Sequence, residues 1–106
     1  MEIFKELNKK GYKHYYDGTV EELDSMDKDN QHLHSEIMQV IIWLYEKHEI
    51  FIQLFPIGED GKMKFYSKVI INDNGWVKII HQISNIVNSP TEAYEAAIEY
   101  TFKNLI

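Results

Sequence analysis

Along the chain, apolar and polar positions change their period sharply at one place. From Glu36 to about Lys47 the apolar residues Ile37, Val40, Ile41 and Leu44 recur at i, i+3, i+4 and i+7, the spacing that gathers side chains on one stripe of a helix. From Ile50 to Phe55 the period becomes two: Ile50, Ile52 and Leu54 alternate with Phe51, Gln53 and Phe55. The pattern therefore predicts a helix feeding directly into a strand. Either Ser35 or Asn30 serves as the helix cap, since both residue types accept from the first free N–H groups.

Further on, Pro56 to Lys62 is dense in turn residues and reads as a hairpin loop of the longer kind. A second strand follows over Met63–Ile71, with Met63, Phe65, Ser67, Val69 and Ile71 as its core face. Asn72-Asp73-Asn74-Gly75 is a tight-hairpin signal, because Asn-Gly suits the positive φ of a type I′ turn. A third strand is expected from Trp76 to about Ile83. Apolar residues on both of its faces point to partial cover on the second side, by a loop or another chain. Ser84 to Asn88 reads equally as strand or loop. Ser89-Pro90-Thr91-Glu92 then spells a capping box with Pro at the first helical position. The helix it opens carries Tyr94, Ala97, Ile98, Thr101, Phe102 and Leu105 on one stripe.

Before the central helix, Glu2–Lys10 forms a short helix with a natural stop at Gly11. Tyr12, Tyr15 and Tyr16 follow, and are expected to cap a small core with their hydroxyls wet. Asp24 to Gln31 reads as a solvated connection. The whole predicts one α+β domain over residues 1–106, in the order α-α-β-β-β-α. Its three-stranded antiparallel meander has helices packed on one face, and residues 1–31 form a less ordered extension.

Composition narrows the chemistry. The chain is 44% hydrophobic and 26% charged, ordinary for a globular domain, and has no cysteine, which removes disulfides and thiolate chemistry. Its net charge is −6 and it has no arginine, so nucleic acid is disfavoured as a partner. The opening residues lack a secretory pattern and no apolar run approaches a membrane span, so the expected location is the cytoplasm.

Catalytic signatures are missing from the pattern. The five glycines are isolated, and Ser67, Ser84 and Ser89 lack a nucleophile context. His32 and His34 with Glu36 suggest a metal site, but two His at i, i+2 on a helix point about 200° apart. His48 and His81 are read as structural. The expectation is a protein that is not an enzyme and needs neither cofactor nor metal.

Gln39 to Ile50 carries a W-L-x-x-x-H-x-I passage, Trp43-Leu44 to His48 and Ile50, that resembles small phage and prophage proteins of Bacteroidetes. The capped Tyr-Glu-Ala-Ala-Ile helix of Ser89 to Ile106 is similar to theirs as well. The resemblance implies origin and architecture, and brings no activity or functional residues with it. With the aromatic content, it points to an accessory module that binds a protein partner through Tyr66, Trp76 and Ile80. A homodimer built on the same residues is one alternative. An acidic nucleic-acid mimic centred on Glu21 to Asp29 is the other.

Overall fold

The computed structural model describes residues 2–80 and 86–106. Helices α1 (Ile3–Lys9), α2 (Val20–Asp24) and α3 (Gln31–His48) precede strands β1 (Ile50–Glu59), β2 (Lys62–Asp73) and β3 (Trp76–Ile80), and α4 (Pro90–Asn104) follows. The sheet is an antiparallel meander in the order β1-β2-β3. The fold is α+β, as the periodicities predict, with α2 a short additional helix just before the expected Asp24–Gln31 connection.

Local signals explain most boundaries. Asn30, rather than Ser35, caps α3, its side chain accepting from His32 N–H at 2.8 Å. The helix ends at Glu49, whose φ of 53° turns the chain into β1 with no intervening loop. At α4 the Ser89 hydroxyl accepts from Glu92 N–H at 3.2 Å. The complete reciprocal box sits instead at α2: Thr19 Oγ1 accepts from Glu22 N–H, and the Glu22 carboxylate accepts from Thr19 N–H, both at 3.1 Å.

The expected long hairpin loop is a correction. β1 runs on through Pro56 to Glu59, which pairs with Lys62, leaving a two-residue turn of Asp60 and Gly61. Both have positive φ, 52° and 73°, as a type I′ turn requires. Pro56 is tolerated because β1 is an edge strand. Its partner Phe65 exchanges both backbone hydrogen bonds with Val87 on the far side, at 2.8 Å each. In an antiparallel ladder this makes Pro56–Phe65 a non-hydrogen-bonded pair, so the proline nitrogen points away from the sheet. The expected end of β3 at Ile83, and the readings of His81 and Ser84, lie outside the described residues.

One face of the sheet holds the core. Ile50 and Ile52 of β1 and Ser67 and Val69 of β2 are buried against α3 and α4, where Leu33, Ile37, Val40, Leu44, Ala97, Ile98 and Phe102 are equally buried. Ser67 donates to the Ala93 carbonyl at 2.9 Å, fixing β2 against α4. Met63, expected on this face, is 64% exposed at the hairpin tip.

The N-terminal segment is the second correction. Ile3, Phe4, Leu7, Tyr12 and Leu23 are core residues, so residues 2–31 belong to the same packed unit and are not a looser extension. The Asp24 carboxylate accepts from the N–H groups of Phe4 and Lys5 at 2.8 and 3.1 Å, capping α1 from twenty residues away. Among the described residues the helices cover one side of the sheet only, and the Cα extents are 40 × 37 × 18 Å.

Candidate functional site

Strand alternation and the register define that open side. Because Ser67 and Val69 face the helices, the even-numbered residues of β2 face away from them. Pairing places Phe51, Phe55 and Ile57 of β1, Tyr66 and Ile70 of β2, and Val77 and Ile79 of β3 on the same outer face. Phe51 is 44%, Val77 76% and Ile79 43% exposed, which is a large apolar load for a surface.

The face has internal order. Phe55 and Tyr66 are cross-strand partners with rings stacked at 5.3 Å and 14° between planes. The Lys68 ammonium lies 4.6 Å from the Phe55 ring centroid on the same face. Lys64 pairs with Glu59 at 3.4 Å. At the opposite end Tyr45 meets Phe51 edge to face at 6.3 Å. There Tyr45, Glu46, Glu49, Phe51, Ile70 and Val77 line an open depression of about 510 Å³. The turn end of the face thus carries Lys62, Lys64 and Glu59 together, while Glu46 and Glu49 border the apolar depression at the α3 end.

The residues expected to bind do not form one surface. Tyr66 lies on the outer face. Ile80 pairs with Val69 and packs towards the helices as part of the core margin. Trp76 shares the parity of Ile80, yet stands 80% exposed at the start of β3. Phe51, Phe55, Ile70, Val77 and Ile79 were the residues missed. The signal for them was present in the second set of alternating apolar positions in β1 and β3.

The other chemical candidates are committed to structure. Glu36 is only 2% exposed, and its carboxylate accepts from the Tyr15 and Tyr16 N–H groups and from the Tyr12 hydroxyl. Tyr12 is itself buried, contrary to the expectation of a wet hydroxyl. Burial, reinforced by the Glu36 carboxylate, pushes the Tyr12 phenol well above the usual tyrosine value. The signal for Glu36 was its place on the helix stripe, three after Leu33 and four before Val40.

A ring nitrogen of His34 lies 2.6 Å from the Lys28 carbonyl, and the His32 ring packs near Tyr16. His48 sits edge to face with Trp43 at 4.9 Å, a packing role. Among the described residues no group of three or more His, Asp or Glu is arranged to hold a metal. In the acidic stretch, Glu22 and Asp24 cap helices and Lys28 pairs with Glu95 at 2.6 Å, so its carboxylates do not form a free row. Among the described residues, no helix is long and apolar enough to cross a membrane. No family model matches the chain, and no curated protein or solved structure matches it either.

Proposed function

We propose that this protein is a non-catalytic interaction module that works through the open face of its sheet. The observation that carries the reading is the exposure of Phe51, Val77 and Ile79 on one face beside the partly exposed Phe55, Tyr66 and Ile70. Such a patch costs free energy while it is wet, and covering it recovers roughly 25 cal/mol per Å² of apolar surface. Support for a non-catalytic role comes from Glu36, Ser67 and Ser89, whose polar atoms are occupied in holding backbone. The resemblance to phage and prophage proteins adds the class, a small accessory factor of the cytoplasm.

A pull-down tests it. Tagged wild type and a Val77→Asp, Ile79→Asp variant are incubated with a Bacteroidetes lysate to which untagged protein has been added. A protein retained by the wild type and lost by the variant, a further copy of this chain included, is the expected result. Identical retention by both baits sinks the reading.

A further inference from the structure

We infer that the cleft between the first turns of α3 and α4 is a binding site for a small organic carboxylate with an apolar body. The cleft lies on the helical side of the sheet, and its assignment does not depend on the reading of the open face as an interaction surface. Its volume is about 410 Å³, within the range that small-molecule sites occupy. Ile37 and Met38 of α3, Leu54 of β1 and Pro90 of α4 supply apolar walls. Ser89, Thr91 and Tyr94 bring three hydroxyls to the same space.

Those hydroxyls are under-used by the fold. Thr91 is only 5% exposed, and among the described residues its hydroxyl has no hydrogen-bond partner. Among those residues Asn8 Oδ1 is the unpartnered side-chain atom sealed from solvent, so the Thr91 hydroxyl opens on the cleft that its residue lines. A polar group this buried is normally bonded, and a ligand can supply the missing bond. Burial alone raises the Tyr94 phenol, with no hydrogen bond contributing, so its proton is also free to donate. Ser89 accepts from Glu92 N–H and keeps its own proton to give.

The backbone sets the sign of the ligand. Thr91 is the second residue of α4, and the carbonyl four positions back, that of Val87, is engaged by Phe65 N–H. The Thr91 N–H is thus a free donor at the positive end of a helix. A hydroxyl can donate or accept, but an N–H only donates, so the fitting head group is an acceptor that tolerates negative charge. A carboxylate has lone pairs for several of these donors, and the apolar walls take its hydrocarbon or aromatic body. Lys28 and Asp29 border the cleft with opposite charge, and Lys28 already pairs with Glu95 at 2.6 Å. The rim therefore leaves the choice to the donors, and Asp29 weakens the binding they provide.

Titration of the full chain with phenylpropionate, phenylacetate and octanoate, followed by amide NMR shifts, tests the inference. At least one acid is expected to give saturable shifts at Thr91 and Tyr94 below about 10 mM, and to bind at least about fivefold more tightly than its primary amide. Thr91→Val should weaken binding at least about fivefold without lowering Tm, because the hydroxyl it removes holds nothing in the free protein. Asp29→Asn should tighten binding. Val77→Asp, Ile79→Asp, on the other side of the sheet, should leave it unchanged. Absence of saturable shifts with all three acids overturns the inference, as do shifts confined to residues outside the cleft. An amide that binds as well as its acid overturns it too. So does Thr91→Val, if it binds like wild type or melts at a lower temperature.

Discussion

The Tyr12 hydroxyl donates to the Glu36 carboxylate, joining the segment after α1 to the middle of the buried stripe of α3. The same carboxylate takes the N–H groups of Tyr15 and Tyr16, so one side chain organises a five-residue stretch that has no regular secondary structure. Removing either partner leaves buried polar groups unpaired. Glu36→Gln is expected to cost about 2–4 kcal/mol and Tyr12→Phe about 1–2 kcal/mol. The double variant should cost less than the sum, as read by urea unfolding. Because the Tyr12 phenol is raised in the fold, its contribution is fully present below the ordinary tyrosine value near ~10 and is lost above it. Tyr12→Phe should therefore blunt the loss of stability in alkali.

Two carboxylates of α2 respond to acid in opposite senses. Hydrogen bonding from Thr19, with the Tyr16 hydroxyl adding to it, holds Glu22 below its ordinary range. Its contribution is present above the ordinary carboxylate value and lost as pH falls through the lowered one. Burial raises Asp24, outweighing the hydrogen bonds from Phe4 and Lys5, so its titration favours the fold below the ordinary value and ceases to do so as pH rises through the raised one. Thermal melts across the acid range should show the wild-type advantage over Glu22→Gln shrinking with acid. The advantage over Asp24→Asn should grow.

The Asp60-Gly61 turn depends on backbone conformation more than on space. A Cβ at Gly61 meets nothing within 4 Å, yet its φ is +73°, so Gly61→Ala is expected to cost about 1 kcal/mol. Gly58 is equally open and lies at an ordinary φ, so Gly58→Ala should be neutral or slightly stabilising by the same chemical-denaturation assay. Equal losses at both would contradict the turn.

Ile80 and Trp76 separate burial from exposure on one strand. Ile80→Asp places a charge against the core margin and is expected to cost more than 2 kcal/mol. Trp76→Ala, at a residue 80% exposed, should stay within about 0.5 kcal/mol. Comparable losses of Tm would mean that β3 is turned over.

What the sequence made legible follows from which forces are local. The α3–β1 junction, the Asn-Gly turn and the Ser89 cap each depend on residues within a few positions, and each was readable. The Asp60-Gly61 turn was hidden by Pro56, which argues against a strand unless that strand is known to be an edge. Asp24 and Glu36 escaped because their partners, Phe4 and Tyr15, are about twenty residues away. Acidic residues in a polar stretch look like solvent-facing ones until the N–H groups they satisfy are known. For the interaction face, alternation marked two apolar sides on β1 and β3. Which side the helices cover was decided by tertiary packing, and Ile80 was consequently assigned to the wrong one.

Pro56 has a bearing on how this protein avoids aggregating. A sheet with an uncovered apolar face is at risk of growing without limit, strand upon strand, along its free edge. Pro56 is one of the alternate β1 positions whose nitrogens point outward, and it has no hydrogen to offer, so an added strand would lose a rung in mid-ladder. Contact through the face closes after one partner, while contact through the edge would propagate as a fibre. The proline obstructs the open-ended route and leaves the closed one available.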